Sequence, residues 1–424
     1  MNIIIIGAGN VGFTSAEVFS ASHNVLVVEN DKIKADSIKN LLNVSVLYED
    51  GTNPKILESV IEEHDAELVV AALPEDGLNL FACMICKRHR PSLRTVATIK
   101  NQDFIIDTSA ESGFGVDMII SPEAIMSNKI FKLAILENAV DYESIHFLGL
   151  AIATFKVSDS HNIVGKAGMN FDIPEKCNIV CIYRGNEVIT NIETTVVLPK
   201  DRISVIGSEE GIEAFNGMIG VRKANEEFVI MGAEVLGLNI AKALDSMDRK
   251  AYVKIIDEDP KLCERASHEL SDAVVVNADV IDPNMLKVEN VERADVLISV
   301  TDSDEKNLLV CMASLKSGTG KIISRYLTKQ YGDIFRYTGI ETILGYHLTI
   351  ANEITKGLIS DEDAILRMKH DGEYFFSVIV TGILPSWVKN TGICPCPKES
   401  VLPPQYGKEI RCYRDKKPYS RSYN

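Results

Sequence analysis

The chain has 424 residues, of which 46% are hydrophobic, and its formal net charge at pH 7 is −16. This length and composition are typical of a globular protein of about two to four domains, and the negative charge argues against a nucleic-acid-binding protein, because binding to phosphates requires a basic face. The sequence contains no long apolar run and no basic leader with a cleavage site, and its nine cysteines lack the spacing of a disulfide framework, so we expect a cytoplasmic protein with reduced thiols.

Residues 1–121 are predicted to form a doubly wound α/β domain. A β-branched run at 3–6 is followed by a glycine turn, a helical pattern and a second apolar run at 25–28 that ends at Glu29. Apolar runs without alternation indicate strands of a parallel sheet that is buried on both faces. Strand and helix patterns continue to alternate as far as about residue 105, as expected for a Rossmann-like fold.

The glycine turn GAGNVG has the form of a dinucleotide-binding fingerprint. In such a turn Gly7 makes the tight reversal, Gly9 leaves room for the pyrophosphate, and Gly12 lets the helix pack closely on the strand. The N-terminus of the helix supplies N–H donors for the phosphates. Glu29 ends the second strand, where a carboxylate accepts hydrogen bonds from both ribose hydroxyls and repels a 2′-phosphate, so the pattern favours NAD over NADP.

Residues 122–222 are predicted to form a small α+β module. An amphipathic helix is followed by short alternating strands separated by Gly, Asn and Asp turns. The segment has no cluster of His, Asp or Glu with the spacing of a metal site. Its loose catalytic candidates are Tyr142, His146 and His161, which form no recognisable dyad. The sequence therefore predicts no catalytic site here.

Residues 227–345 repeat the first domain. The segment VIMGAEVLG at 229–237 matches IIIGAGNVG at 4–12, and the segments 68–80 and 296–308 also align, which indicates a tandem duplication. The copy keeps Gly232, Gly237 and an acid at the end of its second strand, Asp257.

Two substitutions distinguish the second fingerprint from the first. Glu234 takes the place of Gly9, and Arg325 takes the place of Thr98. A carboxylate at the phosphate position opposes a bound anion, so we expect the second site to be weak or empty.

Residues 346–424 are predicted to form a degenerate or incomplete copy of the small module. From about residue 376 the sequence becomes rich in proline, with Pro385, Pro395, Pro397, Pro403, Pro404 and Pro418. Prolines at this density remove donors from a strand ladder. A shifted or truncated reading frame is one account, which we favour, and a basic tail beside an anionic membrane is the other.

Neither cysteine pair of short spacing predicts a metal site. Cys83 and Cys86 lie in an apolar helical pattern, which we interpret as two small buried thiols. Cys394 and Cys396 have no second pair of suitable ligands nearby.

The order of motifs GAGNVG, VVEND, EDGTNPKIL, AALPEDGLNL and VATIKNQDF resembles the nucleotide-binding domain of the RCK family, also called KTN, which regulates potassium conductance. The resemblance covers about residues 1–360 and implies two tandem Rossmann-like domains, each followed by a small α+β C-terminal module. It places the nucleotide site at Gly7, Ala8, Gly9, Asn10 and Val11 for the phosphates, Glu29 for the ribose, Asp50, Gly51 and Thr52 near the adenine, and Ala71, Ala72, Leu73 and Asn79 along the fourth strand, with Thr98 where the family often has arginine. The weak second site would comprise Gly232, Gly237, Asp257 and Arg325.

The resemblance also implies a function. The family's ligand is NAD or NADH, with ATP and ADP left open. Family members assemble as rings, here a dimer or tetramer, on the inner face of the cell membrane below a potassium-translocating subunit of the TrkH or TrkG type. We therefore expect a regulatory subunit that is not an enzyme and binds no metal, and an NAD-dependent oxidoreductase is the alternative.

Overall fold

The computed structural model describes residues 1–101, 115–145, 149–185, 187–220, 225–247 and 250–357, together with the backbone of three strands at 363–370, 374–381 and 409–414. The chain divides into two compact units, residues 1–126 with 345–358 and residues 127–344 with 359–424. Within the described ranges, no helix combines the length and the apolar character needed to cross a lipid bilayer.

The first unit is built on a parallel six-stranded sheet. Its strands are β1 (Asn2–Ile6), β2 (Asn24–Glu29), β3 (Ser45–Tyr48), β4 (Leu68–Ala71), β5 (Arg94–Thr98) and β6 (Met118–Ile120). The strand order is β3-β2-β1-β4-β5-β6, and every neighbouring pair runs parallel. The four isoleucines at 3–6 are all 0% exposed, because β1 is central and both of its faces are covered.

Helices cover both faces of this sheet. They are α1 (Asn10–Ser20), α2 (Lys32–Leu41), α3 (Pro54–Glu63) and α4 (Asp76–His89). One core cluster packs α3 and α4 on the sheet, and a second packs α1 and α2 on the opposite face. The first sheet therefore confirms the predicted doubly wound architecture.

The small module lies in the second unit and contains an antiparallel sheet. After helix α5 (Pro122–Ile135) come β7 (Ala139–Ile145), β8 (Leu150–Lys156), β9 (Cys177–Arg184), β10 (Glu187–Ile189), β11 (Arg202–Gly207) and helix α6 (Glu209–Ile219). The strand order is β10-β9-β11-β8-β7. The rings of Phe155 and Phe215 have centroids 5.2 Å apart and join α6 to the sheet. This is the α+β character that the sequence predicts.

The second six-stranded sheet has the topology of the first. Its strands are β12 (Glu227–Met231), β13 (Tyr252–Asp257), β14 (Val274–Asn277), β15 (Val296–Ser299), β16 (Lys321–Tyr326) and β17 (Thr342–Gly345), in the order β14-β13-β12-β15-β16-β17. Its helices are α7 (Val235–Asp245), α8 (Pro260–Glu269), α9 (Pro283–Val288), α10 (Asp304–Ser317) and α11 (Lys329–Tyr337). The shared strand order agrees with the internal sequence repeat.

Helix α12 (Tyr346–Gly357) follows the second sheet in sequence but packs in the first unit. Ile350 and Ile354 join the core cluster that contains Phe19 of α1, and the hydroxyl of Tyr346 donates to Glu123 Oε1 at 2.8 Å. The first sheet is thus completed by a helix from far along the chain.

Three strands end the described part of the chain. They are β18 (Asp363–His370), β19 (Tyr374–Thr381) and β20 (Glu409–Arg414), which pair antiparallel in the order β18-β19-β20. The proline-rich stretch from Pro385 to Pro404, Cys394, Cys396 and Pro418 lie outside the described residues.

Candidate nucleotide-binding site

The residues predicted to bind a nucleotide lie along the carboxyl edge of the first sheet. Gly7 follows β1, Glu29 ends β2, Asp50 follows β3, and Ala71 and Thr98 end β4 and β5. Because the strand order changes direction between β1 and β4, this edge contains the topological switch point at which α/β sheets form ligand crevices.

Two of the three fingerprint glycines are required by the fold itself. Gly7 has a φ of 97°, and a Cβ built on it would lie 2.8 Å from the carbonyl oxygen of Ala72. A Cβ on Gly12 would lie 1.9 Å from the carbonyl oxygen of Gly7, which no side chain can tolerate. These two positions explain the tight turn and the close contact of α1 with β1.

Gly9 differs from both, because the fold does not require a glycine there. Its φ of −66° and ψ of −177° are extended backbone that any residue adopts. A Cβ on Gly9 would meet no atom within 4 Å, so the missing side chain leaves open space in front of the turn. Neither packing nor backbone conformation therefore requires a glycine at this position.

The open space lies at the N-terminus of α1. No side chain caps this helix and its first turn has no acidic residue, whereas Asp31 caps α2 and Asn53 caps α3. Free N–H groups and the positive end of the helix dipole favour an anion at such a place. The geometry thus fits the phosphates of a nucleotide.

Glu29 ties the turn to the end of β2. Its side chain is 6% exposed, and Oε2 accepts a hydrogen bond from Ala8 N at 2.5 Å while Oε1 accepts one from Asp31 N at 2.8 Å. Since an ionised carboxylate has about four acceptor positions, these two hydrogen bonds do not use all of them. Glu29 therefore shapes the turn whether or not it contacts a ribose.

The segment 50–52 forms a closed turn at the neighbouring strand end. Asp50 Oδ1 accepts from Thr52 N at 2.9 Å and from the Thr52 hydroxyl at 2.7 Å. A Cβ on Gly51 would lie 2.4 Å from Ile6 Cγ2, so this glycine lets the turn pack directly on β1.

Asn79 links the ends of β4 and β5. Its Oδ1 accepts from Leu73 N at 2.7 Å, and its Nδ2 donates to the carbonyl oxygens of Leu73 at 3.0 Å and Thr98 at 2.9 Å. The Thr98 hydroxyl donates to the carbonyl of Ala71 at 3.1 Å. Asn79 and Thr98 thus hold the crevice in shape through backbone groups, a role that the sequence did not assign to them.

Asp76 is a further residue of this edge that the sequence analysis did not select. Its carboxylate accepts from Lys100 N at 3.0 Å and Asn101 N at 2.8 Å, and it thereby holds the loop after β5. Asp304 does the same in the second copy, accepting from Leu327 N and Thr328 N. The signal was available, because the aligned segments 68–80 and 296–308 both keep this aspartate.

The second copy reproduces the turn. Gly232 has a φ of 105°, and a Cβ on Gly237 would lie 1.9 Å from the carbonyl oxygen of Gly232. Asp257 accepts from Ala233 N at 2.6 Å and from Asp259 N at 2.8 Å, as Glu29 does in the first copy.

The open space in front of the second turn is taken by a side chain. Glu234 Oε2 lies 3.5 Å from Nη2 of Arg325, which is buried.

The loose catalytic candidates are engaged with separate partners. The buried Tyr142 hydroxyl donates to Glu209 Oε1 at 3.2 Å, and burial, with the nearby Glu209 carboxylate, raises the pKa of Tyr142 well above its usual range. His161 Nδ1 accepts from Ser158 N at 3.3 Å, and its Nε2 lies 3.1 Å from Asn138 Oδ1. His146 lies outside the described residues.

The CxxC cysteines are buried thiols, as the sequence predicts. Burial raises the pKa of Cys83 well above its usual value and that of Cys86 to about 12, so neither is a thiolate at neutral pH. In the part of the chain that the structure describes, no group of three His, Cys, Asp or Glu side chains is arranged to hold a metal ion.

Comparison with known proteins identifies the family of both Rossmann-like copies. The model of the TrkA-N domain matches residues 3–122 and 228–345, which are the two Rossmann-like copies. Trk system potassium uptake protein TrkA homolog 2 of Methanosarcina mazei is 29% identical over 366 residues, which cover 84% of this chain and 80% of the relative.

Solved structures show the same fold. The crystal structure of the GsuK RCK domain matches with a TM-score of 0.62 at 19% identity, covering 86% of this chain and 80% of that one. A structure of the GsuK channel bound to NAD matches with a TM-score of 0.62 at 19% identity, covering 83% of this chain and 62% of that one.

Proposed function

The chain belongs to the TrkA-N domain family and is a homologue of Trk-system potassium-uptake proteins. From that premise we propose that it regulates potassium flux by binding a nucleotide at the carboxyl edge of its first sheet. Membership in this family confirms the expectation of a regulatory protein that is not an enzyme. Two catalytic candidates of the oxidoreductase alternative, Tyr142 and His161, bond to different side chains of the small module and form no dyad with each other.

The observation that carries the nucleotide proposal is the open space at Gly9. Gly7 and Gly12 are explained by the backbone, whereas Gly9 has an ordinary conformation and no neighbour within 4 Å of a built Cβ. A diphosphate needs such space at an uncapped helix N-terminus, and the fold does not. In this proposal Gly9, Asn10 and Val11 present backbone N–H groups to the phosphates.

We propose NAD or NADH as the ligand, with ATP and ADP as competitors. Glu29 ends β2 where a carboxylate accepts from ribose hydroxyls and repels a 2′-phosphate. One structure with the same fold, the GsuK channel, is described as bound to NAD. A bound nucleotide would place its negatively charged diphosphate between the turn and the end of β4. Thr98, at the position where the family often has arginine, has no positive charge to balance it.

Self-association is supported by exposed apolar side chains at equivalent positions of two helices. Phe81 and Met84 of α4 are 46% and 41% exposed, and Leu309 and Met312 at the same places of α10 are 53% and 46% exposed. Repeated exposure of large apolar groups on a helix indicates a contact surface. We propose that these surfaces take part in assembly of a ring, on the cytoplasmic side of a TrkH- or TrkG-type subunit.

Regulation requires that the nucleotide distinguish two states of the ring. A ligand with equal affinity for both states shifts nothing, whereas a tenfold preference shifts the equilibrium by about 1.4 kcal/mol. By linkage, the state of the potassium-translocating subunit changes the affinity for nucleotide by the same factor. The crevice between β1 and β4 is where this preference would arise.

A panel of nucleotides titrated by calorimetry against the purified chain tests this proposal. We expect one site per chain, with NAD or NADH bound most tightly, and a loss of at least tenfold in affinity in Gly9→Glu. The matched control is Gly217→Glu on α6, because a Cβ there also meets open space but lies in the small module. Binding by Gly9→Glu equal to that of the parent, or no binding of any nucleotide by the parent, would contradict the proposal.

A further inference from the structure

Glu234 occupies the second turn in the same backbone conformation that Gly9 has in the first. Both residues directly precede a helix, α7 and α1, and their φ and ψ values are −62° and 178° for Glu234 and −66° and −177° for Gly9. Gly12 and Gly237 make the same close approach to the first glycine of their turns, with a built Cβ 1.9 Å from its carbonyl oxygen. The two turns therefore share one backbone conformation, and the side chain of Glu234 begins at the position that corresponds to the open space at Gly9.

Arg325 lies near the carboxyl end of β16 in the second sheet and faces the carboxylate of Glu234. It is 5% exposed, its Nε donates to the carbonyl of Thr301 at 3.0 Å, and its Nη2 lies 3.5 Å from Glu234 Oε2. The equivalence with Thr98 rests on geometry as well as on sequence. Asn307 donates to the carbonyl of Arg325 as Asn79 donates to that of Thr98.

Arg325 pairs with the carboxylate of a residue that directly precedes an uncapped helix N-terminus, and this pairing has the charges of a phosphate bound by arginine. No side chain caps α7, and its first turn has no acidic residue. Arginine recognises carboxylate and phosphate oxygens through the same planar set of donors. Glu234 thus supplies from within the chain the negative charge that a nucleotide supplies in a working site.

We propose that Glu234 is an internal substitute for a nucleotide phosphate, and that the second domain holds a latent site for diphosphate-containing nucleotides which this carboxylate keeps closed. The inference rests on the proposed nucleotide binding by the first domain. It explains why the second copy keeps its glycines, its strand-end acid and a buried arginine. The second domain remains in a single ligand-bound-like state, and only the first responds to the nucleotide concentration.

The test removes the carboxylate and counts sites. In Glu234→Gly we expect two nucleotide sites per chain by calorimetry where the parent has one, with NAD and ADP both used as probes because they share the diphosphate. In the double variant Gly9→Glu with Glu234→Gly we expect one site, which now lies in the second domain. Adding Arg325→Gln to that double variant should weaken binding at least tenfold and reduce its dependence on salt.

Three features of the design keep the outcomes distinct. Glu234→Ala also removes the carboxylate, and its backbone has less conformational freedom than that of Glu234→Gly. The alanine variant is therefore used if Glu234→Gly fails to fold. One site per chain in a folded Glu234→Gly and Glu234→Ala would overturn the inference. Absence of binding by the parent would instead contradict the proposed function of the first domain, and a site gained in the double variant would still support the role of Glu234.

Discussion

Substituting alanine for Gly12 and for Gly9 should separate the glycine that the fold requires from the one that the ligand requires. The two positions lie in one turn, and the chemical change is the same. A Cβ at Gly12 would lie 1.9 Å from the carbonyl oxygen and 2.9 Å from the carbonyl carbon of Gly7. Ordinary contact begins at 3.4 Å, so α1 must move away from β1 by more than an ångström.

The expected magnitudes follow from these distances. Overpacking of this kind costs typically 1–3 kcal/mol, and we expect about 3 kcal/mol for Gly12→Ala because the clash is with backbone. At Gly9 the φ of −66° is a conformation that alanine adopts without strain. Alanine lowers the conformational entropy of the unfolded chain, which raises the free energy of unfolding by about 0.4–1 kcal/mol and offsets the loss from its poorer helix capping. Gly9→Ala should therefore change stability by less than about 0.5 kcal/mol while it weakens nucleotide binding.

Native-state hydrogen exchange of the amides in β1 and α1 measures this difference, since a chain of more than one unit does not unfold in a single step. Gly12→Ala should lower protection of both elements, and Gly9→Ala should leave it unchanged. Equal protection in the two variants would refute the assignment of Gly12 to the fold and Gly9 to the ligand.

Three further predictions follow from other contacts. NADP should bind at least tenfold more weakly than NAD, about 1.4 kcal/mol, and Glu29→Ala should narrow that gap; equal affinities in the parent would contradict the role of Glu29. The Nζ of Lys321 on β16 donates to the carbonyl oxygens of Leu133, Leu136 and Ala139, and burial lowers the pKa of this lysine to about 7. Since the unfolded value is about 10.4, the unfolded segment binds more protons above pH 7, and the free energy of opening β16 should rise by up to about 1.4 kcal/mol per pH unit between pH 7 and 10. Lys321→Met should abolish that rise in native-state hydrogen exchange of the β16 amides, and an unchanged slope would contradict it. Phe81→Glu with Met84→Glu should reduce the molecular mass measured by light scattering if α4 lies in an assembly surface, and an unchanged mass would exclude α4 from it.

The sequence was sufficient for the architecture because the signals for it are local. The apolar run at 3–6 lies next to the turn that begins at Gly7, and it occurs a second time at 228–231 next to Gly232. The second strand at 25–28 recurs at 253–256, with Lys254 at the place of Leu26. Because the same pattern of strands and helices occurs twice, the second copy gives independent support for the fold predicted from the first. In the structure both sheets have the strand order of a doubly wound fold.

The packing partner of α12 could not be predicted in the same way. The periodicity of residues 346–357 indicates an amphipathic helix, but it does not specify which surface covers the apolar face. In the structure that surface belongs to α1, more than 300 residues earlier in the chain. The predicted domain bounds at 121, 222 and 345 stay predictions.

The roles of the site residues were predicted less completely than their positions. Asn79 and Thr98 were assigned to the nucleotide, but their side chains bond to backbone groups of neighbouring strand ends. Hydrogen bonds of this kind join segments that are distant in sequence, and residue type alone does not reveal them. The second copy has Glu234 at the position of Gly9 but still has an asparagine, Asn307, at the position of Asn79. This was a sign that the asparagine serves the fold, where Asn307 donates to the carbonyl of Thr301.

The most direct measurement of the central claim is nucleotide-dependent rubidium flux in vesicles that carry the potassium-translocating subunit with this chain bound. The parent and Gly217→Glu should give a flux that changes with nucleotide concentration. Gly9→Glu should still associate with the subunit but give a flux that no longer responds to nucleotide. Identical nucleotide responses from the parent and from Gly9→Glu would contradict the account.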